Sequence, residues 1–477
     1  MNQANNQFEG LVTAVGTGTG SSFELTEQGN SEVQIDGVNR SIIKAQQGQA
    51  AVAMTNAGGV SIEAGSVVLG KVGSTSTLTG DLNINTQSSL SQQGALLVQG
   101  ESHLSANQIT LTDAQNHFVG QVDLEGLGAS GAVSFSDSGD LTVRLDGFDN
   151  ATISAQQRAE VLHREVGNVQ AQGRQVVLGG AEAGSRIKGN LTALATDSIE
   201  QTAFLNVDGQ TRLSANQINL MAENNQFEQG LFVTGQGASS QATIRSGGDI
   251  QALFDGLTSV NLEATSRKVE IGLTNSGSAF VNAREVLLGV AGAGVGLDGS
   301  LSVIAPSSIA QSEAVRVGGA ATFESSQITL TNPNNDLMGT VNGGGSGASS
   351  VLNLHDVNDL NIQGSGFGRV QLTAGGALAS SLDNVGRVQL QADSIVLGQS
   401  SITGDLQVLA STFLGQSGHL ELAGMADFNL GSGVIELNQP DNEFASGLTI
   451  RAGSVNLSNR SDLLVDFLEA RQASLLT

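Results

Sequence analysis

The feature that most constrains this chain is that it copies itself. An Asn-x-Phe pattern with a glycine two or three residues on recurs around Phe8, Phe118 and Phe227, and Leu337 and Phe444 hold the same place in later copies, with steps of about 110 residues. A second marker keeps the same order: Val67-Val68-Leu69-Gly70, Val176-Val177-Leu178-Gly179, Val286-Leu287-Leu288-Gly289 and Ile395-Val396-Leu397-Gly398. A third is Gly80-Asp81-Leu82, Gly189-Asn190-Leu191, Gly299-Ser300-Leu301 and Gly404-Asp405-Leu406. The run Leu104-Ser105-Ala106-Asn107-Gln108-Ile109 returns as Leu213-Ser214-Ala215-Asn216-Gln217-Ile218. These markers define copies at about 8–117, 118–226, 227–336 and 337–443, with a partial copy at 444–477. A long repeat signals units that bury their apolar faces against one another, so 477 residues need not mean three separate domains.

Within a copy, Val60-Ser61-Ile62-Glu63-Ala64, Leu82-Asn83-Ile84-Asn85 and Thr110-Leu111-Thr112 alternate apolar with polar residues. That is the period of a strand with one buried face, and no dozen-residue stretch carries a capped helical stripe. Similar strands centre near Ile62, Ile84 and Leu104, so each copy is expected to divide into about five coils of roughly 20 residues. A string of sandwich domains is the competing architecture, but such cores lean on Trp or Tyr, and this chain has neither. Its three prolines suit long hydrogen-bonded ladders, because proline cannot donate to one. The expectation is an all-β parallel β-helix (β-solenoid), continuous over 1–477, with about 24 coils stacked to a rod near 110 Å.

Gln108-Ile109-Thr110-Leu111-Thr112-Asp113-Ala114-Gln115-Asn116-His117-Phe118-Val119-Gly120 resembles the shaft repeats of filamentous-haemagglutinin-like exoproteins. Residues 327–337 (Gln327 to Leu337) and 434–444 (Val434 to Phe444) carry the same likeness, which extends over nearly the whole chain. That resemblance implies a right-handed β-helix from a large bacterial adhesin exported by two-partner secretion or as an autotransporter. The family's N-terminal secretion domain and a C-terminal membrane barrel are not recognisable, which suggests a shaft fragment.

Charge and composition remove several classes. With 45 acidic against 20 basic residues, the chain repels nucleic acid and anionic lipid. The absence of cysteine excludes disulfide scaffolds, thiolate zinc sites and thiol nucleophiles. The longest apolar run, Val286 to Leu297, is shorter than the ~20 residues that cross a bilayer. The opening Met1 to Asn6 has no signal-peptide character, pointing to a cytosolic protein or an internal piece of a longer one. Because Met1 falls inside a repeat, a missing cap and end-to-end association are expected there.

Local motifs read as structural. Gly126/Gly128/Gly131 and Gly294/Gly296/Gly299 match a dinucleotide fingerprint in spacing, but strand-like text follows each in place of a helix. His103, His117, His163, His355 and His419 lack metal-ligand spacing and are expected in solvent or turns. Asp137, Asp140 and Asp146 read as a solvated acidic face. A polysaccharide-cleaving site would need cations beside a base, yet Lys44, Lys71, Lys188 and Lys268 lie in different copies. The closest basic cluster, Arg158, Arg164 and Arg174 with Glu160, His163 and Glu165, is expected to be a polar outer face. In the Asn-x-Phe-x-Gly unit, Asn is expected in a left-handed turn, Phe in the core, and Gly where a Cβ would clash.

Glycine-rich loops follow the first four markers: Gly16 to Ser21, Gly126 to Ser130, Gly235 to Ser239 and Gly343 to Gly347. Equal phase would place them on one side of a solenoid, so Gly18, Thr19, Gly128, Ser130, Gly237, Ser239, Gly345 and Ser346 are the candidate exposed contact residues. No catalytic residue, cofactor or metal is expected. The reading is a structural or adhesive stalk, outside the cell or on the bacterial outer-membrane surface. Its partners would be a host-cell or neighbouring-cell receptor or glycan, and an outer-membrane transporter during export. The alternative is a β-helical polysaccharide-acting enzyme or tailspike-like carbohydrate-binding protein.

Overall fold

A computed structural model describes residues 6–182 and 184–477; residues 1–5 of the expected solenoid and Ala183 lie outside the described residues. Among the described residues every regular element is a β-strand, from Leu11–Val15 to Val465–Leu476, and the ladders run parallel. Within each unit the strands stack as a β-solenoid, with about 23 turns in all, close to the count expected from coil length. The chain divides into two compact units, residues 1–237 with 243–246, and residues 238–242 with 247–477.

In the first unit, one buried column climbs rung by rung through Ala50, Val67, Leu90, Ile109, Val133, Ala151, Val169, Leu191, Thr211 and Leu231. A coil takes as few as 17 residues (Ala50 to Val67) and as many as 24 (Ile109 to Val133). The second unit has its own column through Ile250, Val269, Val286, Ile309, Ile328, Leu352, Val370, Val388, Leu406, Ala426 and Leu448. Period-two alternation produces these columns directly, because every second side chain points inward and in-register stacking keeps like on like.

The longer coils carry a third face. Short strands Ser76–Leu78, Leu96–Val98 and His117–Phe118 stack Leu78, Val98 and Phe118; later strands stack Val166, Ile187, Val207 and Phe227. In the second unit the same is done by Leu297, Val317 and Leu337, and again by Ile402, Leu422 and Phe444. Phe118, Phe227, Leu337 and Phe444 are therefore each the last rung of a short apolar column. Phe118, Phe227, Leu337 and Phe444 are buried as expected, while Phe8 is half-buried.

The asparagine of the marker does something different from what the turn chemistry suggests. Among the described residues the left-handed non-glycine positions are Asn56, Asn275 and Asn384, and none of them is a marker asparagine. Asn116, Asn225, Asn335 and Asn442 are instead fully buried. Each Oδ1 accepts from Nε2 of a glutamine in the coil below, Gln92, Gln201, Gln311 or Gln416, at 2.8–2.9 Å. It also accepts the backbone N–H of Leu96, Leu205, Val315 or Leu420. Each Nδ2 returns a bond to the same glutamine's Oε1 and reaches the carbonyl five residues earlier, on Leu111, Leu220, Leu330 or Leu437. A carbonyl in the following coil, on Ser136, Arg245, His355 or Ser458, completes the set. A primary amide is the side chain that can both give and receive in this way, so one residue clasps three coils.

Left-handed geometry is reserved for the corners. Gly37, Gly147 and Gly366 have φ of 63°, 77° and 72°, and a Cβ there would stand 2.8–2.9 Å from the carbonyl oxygen of Gly16, Gly126 or Gly345 in the preceding coil. Stacked glycines let the chain turn twice in close contact at each such corner.

Candidate functional site

The sequence-predicted loop residues lie at these corners. Gly18, Thr19, Gly128, Ser130, Gly237, Ser239 and Ser346 are exposed and Gly345 is half-buried. Structure shifts the phase of the fourth loop: Gly345, not Gly343, takes the place of Gly16 and Gly126, because its Cβ position faces the Gly366 oxygen as theirs face Gly37 and Gly147. Gly343 and Gly344 therefore belong to the strand before the loop. In the other copies that place is filled by Ala14 and Val15, by Leu124 and Glu125, and by Val233 and Thr234.

A groove of about 770 Å³ lies beside the fourth loop, where Gly344 presents no outward side chain and Gly343 faces the core. Its floor is a run of rungs in which Phe323, Gly343, Gly364 and Leu382 are in register. Where Gly343 carries no Cβ, the Phe367 ring and Leu352 lie beneath, at 3.3 and 3.5 Å from the Cβ position. One wall of the groove is a ladder of outward polar side chains, Thr322, Asn342, Gln363 and Ser381, one per rung. A parallel row holds Ile304, Glu324, Gly344, Ser365 and Asp383. At the ordinary spacing of strands, Glu324 and Asp383 are about 14 Å apart, three rungs, and no lysine or arginine lines the groove.

The groove side chains are left without partners in the chain. Among the described residues, the side chains of Asn342, Gln363, Ser365 and Ser381 make no hydrogen bond, although Asn342 and Ser381 are half-buried. Comparable outward ladders elsewhere close on themselves: Gln389 Nε2 donates to Gln407 Oε1 at 2.8 Å, Arg387 pairs with Asp405 at 2.9 Å, and Asn168 Nδ2 donates to Asn150 Oδ1 at 3.0 Å.

Two sequence expectations about titratable residues are overturned. His163 is not in solvent or a turn: it is 1% exposed, because period-two register places it in the column Ile43, Ile62, Ile84, Leu104, Leu124, Leu145 and His163. Burial lowers its pKa to about 4, only partly opposed by its bond to the Gly179 backbone, and Nε2 has no partner. Asp137 is likewise buried and not part of a solvated face. Its carboxylate accepts the N–H of marker Phe118 at 2.7 Å and of Gly139 at 2.6 Å. Asp356 does the same for Leu337 and Asn358, and burial raises both carboxyls above the ordinary Asp value, against the backbone bonds. The remaining charges of that region behave as an outer face: Arg158 pairs with Glu160, Arg164 with Asp146 and Glu182, Arg174 with Asp197, and Lys188 with Glu165. The exposed His103 lies 3.0 Å from Asp123, and His117 contacts Asp137 from outside. The Gly-x-Gly-x-x-Gly stretches lead into strands Ala132–Asp137 and Leu301–Ile304, without the helix that a dinucleotide pyrophosphate needs.

No curated protein and no solved structure matches the chain. Four segments, residues 50–125, 166–234, 288–343 and 384–451, match a family described as repeats of unknown function, DUF5649, and together they exceed half of the chain. The matches recur once per copy and contain the third-face strands Ser76–Leu78 to His117–Phe118, Arg186–Ile187 to Gln226–Phe227, Val295–Leu297 to Asp336–Leu337, and Ser400–Ile402 to Glu443–Phe444. The family unit thus runs up to and just past each marker, whereas residues 126–165, 235–287 and 344–383 fall between matches. A match that recurs once per copy and covers more than half of the residues makes this chain a member of the DUF5649 repeat family.

Proposed function

We propose that this chain is a structural and adhesive stalk of an exported bacterial protein, with no catalysis of its own. The reading includes a filamentous-haemagglutinin-like relationship, an extracellular or outer-membrane-surface location, an outer-membrane transporter during export, and the two units continuing one another as a single shaft. The observation that supports it is the continuous buried column in each unit, apolar but for Thr211, fastened once per copy by a buried asparagine–glutamine clasp. Such coils touch only their neighbours, which suits a spacer that gains reach by adding units. The absence of cysteine suits a chain that crosses a pore unfolded, and the net charge of −25 keeps neighbouring shafts apart. Small-angle scattering and negative-stain electron microscopy of the purified chain test the reading. A rod near the stacked-coil length is expected; beads joined by hinges would remove it. The second reading, a carbohydrate-binding β-helix, draws on the groove at Gly343 and Gly344.

A further inference from the structure

We propose that the groove floored by Gly343 and Gly344 binds a neutral oligosaccharide laid along the coil axis. Four observations converge on that class of ligand. First, the groove walls offer amides and hydroxyls (Asn342, Gln363, Ser365, Ser381), groups that both donate and accept, as sugar hydroxyls do. Second, these side chains have no partner within the chain, so a ligand can take their bonds without first breaking others. Third, the offered groups recur once per rung, about 4.8 Å apart, a spacing comparable with one sugar unit in an extended chain. Fourth, the only formal charges on the lining are the carboxylates of Glu324 and Asp383, which repel an anionic polysaccharide and accept hydrogen bonds from the hydroxyls of a neutral one.

The glycines give the depth. Gly344 stands in the outward row between Glu324 and Ser365, where a side chain would fill the channel, and the flat backbone leaves an apolar strip for the C–H face of a sugar ring. A Cβ added at Gly344 would meet Glu324 Cγ at 3.5 Å, an ordinary contact, and its φ is not left-handed. A large residue there can therefore block the groove without straining the fold. The inference does not rest on the stalk reading, because scattering reports shape and the following assay reports binding.

Affinity electrophoresis tests it, with native gels containing dextran, galactomannan, xyloglucan or soluble starch as neutral probes and polygalacturonate as the anionic control. The full chain should be retarded by at least one neutral polymer and not by polygalacturonate. Gly344→Trp should abolish the retardation, and Asn342→Ala with Gln363→Ala should weaken it about tenfold or more. Unchanged circular dichroism and thermal midpoint establish that each variant is folded; were the tryptophan variant to misfold, the amide double variant would decide. Three results would overturn the proposal: no retardation by any neutral polymer, retardation that survives both variants, or retardation by polygalacturonate alone.

Discussion

Replacing Asn335 by alanine should open the third clasp and loosen three coils at once. Asn335 is 0% exposed; its Oδ1 accepts from Gln311 Nε2 at 2.8 Å and Val315 N–H at 2.9 Å, and its Nδ2 reaches Gln311 Oε1 at 2.9 Å, the Leu330 carbonyl at 3.1 Å and the His355 carbonyl at 3.2 Å. Truncation leaves one backbone donor and two backbone acceptors buried without their partner. Each such group costs about 1–3 kcal/mol, and water admitted to the space left by the amide recovers part of it, so a net loss of about 3–5 kcal/mol is expected. Global melting is a poor readout because repeat arrays need not unfold in one step. Native-state hydrogen exchange is better: amides in residues 311–337 should lose that much protection, while those around the Asn442 clasp keep theirs. Gln311→Ala, a half-buried partner, should cost about 1–2 kcal/mol, and the double variant should cost less than the two losses added together. Protection within ~0.5 kcal/mol of wild type for Asn335→Ala, or strict additivity in the cycle, would refute the clasp as a cooperative unit.

Acid should act through His163. Its folded pKa of about 4 lies below the ordinary value of 6.5, so the unfolded chain takes up the proton first; the stability from the neutral imidazole is present above 6.5 and is lost as pH falls toward 4. The full loss is about 3 kcal/mol, and His163→Leu should flatten the pH dependence of local amide protection around residues 158–163 over that window; an unchanged slope would contradict the burial argument. Gly147→Ala should cost about 1–3 kcal/mol of local amide protection by native-state hydrogen exchange, since φ is 77° and the Cβ would stand 2.8 Å from the Gly126 oxygen. Phe118→Ala should cost about 3–5 kcal/mol, because Phe118 ends an apolar column and its ring lies 4.8 Å from that of Phe135; a loss below ~1 kcal/mol would mean the coils collapse onto the gap.

The sequence alone determined the fold class and the phase of the repeat. Alternation such as Val60-Ser61-Ile62-Glu63-Ala64 specifies which side chains point inward, and even spacing of such runs leaves parallel stacking as the way to cover them. The markers were legible for the same reason, since an apolar rung at a fixed coil position must recur. Register and partners were decided only in three dimensions. Nothing local distinguishes His163 from an exposed histidine; it is inward because Ala159, Val161 and His163 share a face and the coil below presents Leu141 to Leu145 in register. Gln92 and Asn116 are 24 residues apart, and their bond exists because one coil later is one rung higher. A glutamine held at nearly constant distance before each marker asparagine was the available signal for the clasp. The groove likewise appears as two extra glycines in sequence, and becomes a groove only when strands on either side leave those rungs uncovered. Periodicity is a property of the chain, whereas a partner from another coil is a property of the stack.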